Sequence, residues 1–128
     1  MSALRDAIAG EQAALYAYGL AGPRLEGADR DRAMGGLAAH RARLLLLRGM
    51  AADTDEPGTP GGYDVAALTS PEEARALLAQ VEASLAAVYA DLAAATTGEQ
   101  RTESVLAACE CEARAIGWGG APEAFPGR

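Results

Sequence analysis

The chain is organised around LRDAIAGEQAALYAYGLAGPRL, the segment from Leu4 to Leu25. Stepping along it at alternating intervals of four and three gives the core-facing side of an amphipathic α-helix. The positions on this stripe are Leu4, Ile8, Glu11, Leu15, Tyr18, Gly22 and Leu25. One of them, Glu11, is a carboxylate in the middle of an apolar face. Because an unpaired buried carboxylate is costly, the stripe predicts that another part of the chain supplies a partner for Glu11.

The composition predicts a single all-α domain that spans residues 1–128. Half of the residues are hydrophobic and only 5% are aromatic. The apolar residues are mostly Ala and Leu, which favour helices. The formal net charge of −7 argues against binding to nucleic acid or to an anionic membrane surface.

The location of the protein is predicted from what the sequence lacks. We expect no apolar run long enough to span a bilayer. The first residues, MSALRDAIAGEQ, carry charges where a secretion signal is apolar. Cys109 and Cys111 lie two apart on a predicted helix, on faces that cannot be bridged. A cytoplasmic protein is therefore predicted.

The first two helices are predicted at about residues 2–26 and 30–52. Pro23 is expected to kink the first helix or to end it early. Asp29 is the predicted N-cap of the second helix. The connection between them is short, so the two helices are expected to be antiparallel neighbours.

The last two helices are predicted from their capping residues. Ser70 is the expected N-cap of the third helix, and Glu73 completes a capping box. This helix is expected to continue to about Thr96. The pattern at Thr97 repeats the capping box and opens the fourth helix, which glycines end near Gly117.

The segment from Asp53 to Thr69 is predicted to be a loop, since it is rich in Gly, Pro and acidic residues. Extended, roughly seventeen residues reach about 55 Å, enough to cross a bundle about 30 Å long. The favoured interpretation is a long crossover that lets the second and third helices run parallel. The alternative is a disordered loop in an up-down bundle.

Each of the four helices carries a polar residue near its middle. The second has His40, the only histidine, on the stripe Ala33, Leu37, His40, Leu44, Leu47 and Ala51. The third has Glu82, which with Tyr89 flanks an apolar stripe. On the fourth, one stripe runs through Val105, Cys109, Glu112 and Ile116, and another through Leu106, Cys109, Ala113 and Ile116. Both stripes place Cys109 in the core, and Glu110 competes with Glu112 for the inward position.

These helices and residues resemble an alanine-rich ferritin-like family of unknown function that is typical of actinobacteria. The resemblance is carried by EQAALYAYG (residues 11–19), AAHRARL (38–44), LAAVYADL (85–92) and the ending with Trp118 and the FPG of residues 125–127. It implies an antiparallel four-helix bundle of ferritin-like topology. Trp118 and Phe125 are expected to pack across one end of the bundle.

The predicted site consists of Glu11, His40, Glu82 and Glu112, with Tyr18 and Tyr89 nearby. A dinuclear carboxylate centre needs two Glu-x-x-His pairs, whereas this chain has a single His and Leu37 stands three residues before it. The metal site is therefore interpreted as degenerate. The alternatives are one iron or manganese ion held by Glu11, His40 and Glu82, or a buried hydrogen-bonded cluster. Either way, Glu11 and His40 are predicted within hydrogen-bond or one-water distance.

Three functions follow from this site. The first is a non-catalytic structural or interaction protein with no cofactor. It is expected to form a homodimer through small-residue faces, such as Ala13, Ala17 and Ala21, or Ala86, Ala90 and Ala93. The second is a metal-dependent oxidoreductase with a mononuclear Glu/His/Glu site. The third is a small-molecule binder that uses a pocket between the helices.

Overall fold

The computed structural model of the chain describes residues 2–51 and 68–121, which form four α-helices. These are α1 (Ala3–Ala21), α2 (Gly27–Ala51), α3 (Pro71–Ala94) and α4 (Gly98–Gly117). A short 3-10 helix, Gly22–Arg24, follows α1. No strand occurs in these two described segments. The prediction of an all-helical chain is therefore confirmed.

The ends of α1 and α3 follow their local sequence. The α-helix stops at Ala21 and the chain tightens into the 3-10 turn that contains Pro23, as expected for a residue without a backbone donor. At the start of α3, Ser70 Oγ accepts the Glu73 N–H at 3.1 Å, which confirms the predicted N-cap. The Glu73 carboxylate accepts the N–H of Thr69 at 3.0 Å, one residue before the capping serine.

The starts of α2 and α4 differ from the predictions, because both helices begin at a glycine. Gly27 and Gly98 each have a φ of +59°, a conformation that glycine adopts without steric cost. Asp29 lies in the first turn of α2 instead of capping it, and its carboxylate accepts from Arg75 on α3 at 3.2 Å. Thr97 precedes α4 but makes no side-chain capping hydrogen bond.

Contacts between side chains fix the directions of the helices. Glu11 on α1 meets His40 on α2, and Tyr18, two turns later, lies against the earlier residue Gly36. The same reversal relates α1 to α3, where Tyr18 meets Glu82 and Glu11 meets the later residue Tyr89. Since α2 and α3 are both antiparallel to α1, they are parallel to each other.

Helix α4 completes the bundle by running antiparallel to α3. Arg114 contacts Glu82, and Arg101, near the start of α4, donates to the carbonyl of Ala93 near the end of α3. The predicted crossover from Asp53 to Thr69, which would join the parallel helices, lies almost entirely outside the described residues.

Apolar side chains form two core clusters, one toward each end of the bundle. The first includes Ile8, Leu44, Leu47, Leu85, Tyr89, Leu92 and Cys111. The second includes Tyr18, Leu25, Ala33, Leu78 and Trp118. Each cluster contains one of the tyrosines that flank Glu11 and Glu82, so the polar residues lie where the two clusters meet.

The register of α4 corrects the sequence analysis. Both predicted stripes face outward: Val105, Leu106 and Ile116 are 47%, 50% and 43% exposed, and Cys109 is also exposed. The buried face is made of the small residues Ser104, Ala107, Ala108, Cys111 and Ala115. Small residues let α4 approach α3 closely, where Leu85, Tyr89 and Leu92 fill the core. The buried cysteine is therefore Cys111, and the prediction for Cys109 was wrong.

The alanine faces suggested for dimerisation are largely used within the chain. Ala17, Ala21, Ala86 and Ala93 are buried, whereas Ala13 and Ala90 are half-buried, and α1 packs directly on α3. Most of these side chains therefore contribute to packing within the bundle.

The sequence analysis expected no segment able to span a bilayer. Helix α3 differs from this expectation, because its length and composition would suffice to cross one. The same helix buries Glu82 and Tyr89 in hydrogen bonds to other helices. One third (33%) of its most apolar segment is buried inside the bundle.

Candidate functional site

Three fully buried ionisable residues meet at the centre of the bundle, one each from α1, α2 and α3. Glu11, His40 and Glu82 have no solvent exposure. His40 Nδ1 lies 2.6 Å from Glu11 Oε1, and Nε2 lies 2.7 Å from Glu82 Oε2. The predicted contact between Glu11 and His40 is confirmed. The imidazole stands between the two carboxylates and uses both nitrogens.

Two tyrosines extend this contact crosswise between α1 and α3. Tyr18, on the same helix as Glu11, donates to Glu82 Oε2 at 2.5 Å. Tyr89, on the same helix as Glu82, donates to Glu11 Oε2. On both α1 and α3, a Tyr follows a Glu by seven residues. Because the two helices are antiparallel, this spacing places the Tyr hydroxyl of each helix opposite the Glu carboxylate of the other. This repeated spacing, 11–18 and 82–89, is the sequence signal that could have paired them.

Two further members of the network come from the end of α4 and were missed by the sequence analysis. Arg114 donates its Nε–H to Glu82 Oε2 at 3.1 Å. The indole N–H of Trp118 donates to the Tyr18 hydroxyl oxygen at 3.0 Å. Trp118 was expected only to pack across the end of the bundle with Phe125, which lies outside the described residues. Instead it also orients the tyrosine that binds Glu82.

The pKa values of His40 and Glu82 favour the charged forms of these two residues. Burial of the ring lowers the pKa of His40, but hydrogen bonds and charge interactions with Glu11 and Glu82 outweigh this and raise it to about 9. Burial raises the pKa of Glu82, whereas the hydrogen bond and charge of His40, with Tyr18 and Arg114, lower it overall. At neutral pH His40 is therefore an imidazolium that donates both N–H groups.

The surrounding groups remain neutral. Burial, followed by the charge of the carboxylate that each one faces, raises the pKa of both Tyr18 and Tyr89. Burial, followed by the charge of Glu82, also raises the pKa of the Cys111 thiol. Both phenols are therefore hydrogen-bond donors, and the thiol is not poised to react as a nucleophile.

Charge in the network is balanced. The carboxylates of Glu11 and Glu82 are matched by the imidazolium of His40 and the guanidinium of Arg114. Within the described residues, one buried side-chain oxygen or nitrogen lacks a hydrogen-bond partner, and this is Glu82 Oε1. The other oxygen of the same carboxylate, Oε2, accepts from His40, Tyr18 and Arg114.

The acidic residues predicted on α4 are less buried than the three central residues. Glu112 is half-buried. Glu110 is exposed and pairs with Arg43 on α2 at 2.8 Å. Arg43 also contacts Glu103 at 3.1 Å, so it links α2 to α4. Of the four residues predicted to hold a metal, Glu11, His40 and Glu82 come together at the centre of the bundle.

The geometry of the three remaining residues does not fit a metal ion. A histidine that binds a metal keeps one nitrogen for it and uses the other for a supporting carboxylate. Here both nitrogens of His40 are within hydrogen-bond distance of carboxylates, and a guanidinium contacts the second one. In residues 2–51 and 68–121, no group of three His, Cys, Asp or Glu side chains is arranged to hold a metal.

The chain matches a known family model over nearly its whole length. Residues 3–128 match a domain of unknown function, DUF4439. The chain belongs to this family. No curated protein matches this DUF4439 chain significantly.

A solved structure is similar to this DUF4439 protein over most of its length. It is the crystal structure of a conserved hypothetical protein, rv2844, from Mycobacterium tuberculosis. The two chains are 25% identical, 91% of each is covered, and the TM-score is 0.85. The likeness supports the all-helical fold, and the neighbour comes from an actinobacterium, in line with the predicted resemblance.

Proposed function

We propose that this protein is a non-catalytic ferritin-like bundle in which a buried network of hydrogen bonds takes the place of a metal centre. The ferritin-like topology is supported by the helix directions, since α2 and α3 are parallel while α1–α2 and α3–α4 are antiparallel pairs. The observation that carries the proposal is the position of His40, with Glu11 on one ring nitrogen and Glu82 on the other.

The balance of charge supports a structural role for the network. Charge-assisted hydrogen bonds between fully buried groups are shorter and stronger than neutral ones, and they require a specific alignment of the helices. The network joins all four helices through Glu11, His40, Glu82 and Arg114. Its role is to fix the register of alanine-rich helices, whose small side chains alone specify alignment weakly.

Metal analysis distinguishes this proposal from a metal-dependent oxidoreductase. Protein purified without a histidine tag is expected to contain iron and manganese far below one equivalent, and incubation with either ion is expected to leave its Tm unchanged. Stoichiometric metal that is lost in His40→Gln and retained in Arg41→Gln, an exposed position on the same helix, would overturn the proposal.

The interaction role is assigned to the outer face of α4, with a second copy of the chain as its partner. Leu106, Cys109, Ala113 and Ile116 form an exposed stripe of apolar and small residues along this helix. Such a stripe suits antiparallel packing against the same stripe of another protomer, related by a two-fold axis. The proposed dimer thus uses the face that the sequence analysis assigned to the core.

Size measurement over a range of concentrations tests the dimer. The wild-type chain is expected to be dimeric at high concentration. Leu106→Glu is expected to be monomeric, because it places a charge within the apolar contact. The matched control is Ala9→Glu, which adds the same charge at an exposed position on α1. A wild-type monomer at every concentration, or equal dissociation of both variants, would contradict the proposed interface.

A further inference from the structure

A small cleft opens beside the buried network, between α2 and α4. Its volume is about 260 Å³, and its described lining consists of Arg32, Gly35, Gly36, Arg114 and Trp118. These lining residues include two arginines and no carboxylate, although the chain as a whole carries a net charge of −7. The cleft therefore presents two guanidinium groups on an acidic protein.

Arg114 is held in the cleft through the Nε side of its guanidinium group. Its Nε–H is bound to Glu82 Oε2 at 3.1 Å, and Nη2 makes only a long contact of 3.8 Å with the Cys111 sulfur. The side chain is 24% exposed. The buried carboxylate fixes the plane of the guanidinium, while the terminal Nη groups keep the capacity to donate to a ligand.

Arg32 is held on the other side by an aromatic ring. Its guanidinium carbon lies 4.6 Å from the centroid of the Trp118 ring, within the range of a cation–π interaction. Its contact with Asp29 is long, at 3.5 Å. A Cβ on Gly117 would lie 2.5 Å from Arg32 Nη2, so the glycine makes room for the arginine in this position.

Gly35 leaves open space beside the arginines, because a Cβ at this exposed position would meet nothing within 4 Å. Its neighbour Gly36 is buried and makes room for Tyr18 instead, since a Cβ there would lie 2.5 Å from the tyrosine ring. A ligand can therefore approach the helix backbone at Gly35 without displacing protein atoms.

We infer that this cleft binds a small oxyanion, a carboxylate or phosphate group, between Arg32 and Arg114. The planar guanidinium group presents paired N–H donors that match the oxygens of these anions, and two guanidinium groups can hold one anion from two sides. The volume suits a single phosphate or a short carboxylic acid and is below the usual range for drug-sized ligands. The inference does not depend on the metal-free or dimeric character of the protein.

Trp118 provides a fluorescent probe of binding, because it is the only tryptophan in the chain and lies in the cleft. Its fluorescence is followed while inorganic phosphate or succinate is added at constant ionic strength, and calorimetry gives an independent affinity. A saturable change with phosphate assigns the phosphate class, and one with succinate assigns the carboxylate class. No saturable binding, or the same change with chloride alone, would overturn the inference.

Gly35→Asp is the decisive variant, because it places a carboxylate in the cleft at an exposed position with open space around it. It is expected to weaken calorimetric binding by about tenfold or more. Gly35→Asn is the matched control, since it has the same shape without the charge, and it is expected to retain most of the affinity. Equal losses in both variants would show that space, and not charge, governs binding, and would contradict the inference.

Arg32→Gln supplies a second variant on the opposite side of the cleft. It is also expected to weaken binding by about tenfold, because one charged donor pair is lost. Arg41→Gln removes the same charge from an exposed position on α2 outside the cleft and is expected to bind normally. An equal loss in these two variants would indicate a general effect of protein charge and would overturn the site.

Discussion

Arg114 donates its Nε–H to Glu82 Oε2 at 3.1 Å, which joins the last turns of α4 to the middle of α3. This ion pair completes the balance of charge around His40. Because Glu82 is fully buried, its carboxylate depends on protein donors in place of water. The stability of the fold is therefore expected to depend on a residue that lies on no predicted core stripe.

Removing the guanidinium tests this dependence. Arg114→Gln is expected to lower the free energy of unfolding by about 2 kcal/mol, the typical contribution of a hydrogen bond to a charged group. Urea unfolding followed by circular dichroism gives the value. Arg41→Gln removes a charge from an exposed position and is expected to change stability by less than about 0.5 kcal/mol. Equal effects would contradict a special role for Arg114.

The charge of His40 predicts a dependence of stability on pH. Its pKa in the fold, about 9, lies above the ordinary value of 6.5. Protonation therefore stabilises the fold fully below about pH 6.5, and this contribution is lost as the pH rises through about 9. The free energy of unfolding is expected to fall by about 2 kcal/mol between pH 6.5 and 8.5.

Two measurements isolate His40 in that range. The fall in the free energy of unfolding between pH 6.5 and 8.5 is expected to be absent from His40→Gln. The further fall at higher pH is expected to remain, because it comes from the raised pKa values of Cys111 and the tyrosines. Since His40 is the only histidine, its NMR signals also report its titration directly. A midpoint near 6.5 would contradict the imidazolium between two carboxylates.

Adjacent glycines in α2 are expected to respond in opposite directions to alanine. Gly36→Ala would place a Cβ 2.5 Å from the buried Tyr18 ring, which displaces a donor to Glu82 and costs about 1–3 kcal/mol. Gly35→Ala meets open space and is expected to stabilise by about 1 kcal/mol through helix propensity. Thermal unfolding of both variants checks the signs. Stabilisation by both would mean that Tyr18 is not packed against this turn.

The two cysteines are expected to differ in reactivity. Cys109 is exposed and Cys111 is buried with a raised pKa, so a thiol reagent should modify one thiol rapidly in the folded protein and the second only on unfolding. Cys109→Ser is expected to abolish the rapid phase, and Cys111→Ser to preserve it. A rapid phase that disappears in Cys111→Ser would contradict the register of α4.

The contact between Glu11 and His40 could be predicted from the sequence, because both residues interrupt clear apolar stripes. Glu11 and His40 each occupy the middle of a strongly periodic face, so burial and pairing followed from the cost of an unpaired charge. The partners from α4 could not be foreseen in this way. Arg114 is a charged residue near a helix end, and Trp118 bonds to a tyrosine 100 residues earlier in the chain.

The sequence alone indicated the all-helical class, the N-cap at Ser70 and the inward faces of the first three helices. Those features depend on local propensity and on periodicity, which are properties of neighbouring residues in the sequence. The inward face of α4 depends on how this helix packs against α3. That helix carries larger apolar residues on one side and small ones on the other, and close packing against the bulky side chains of α3 selected the small side.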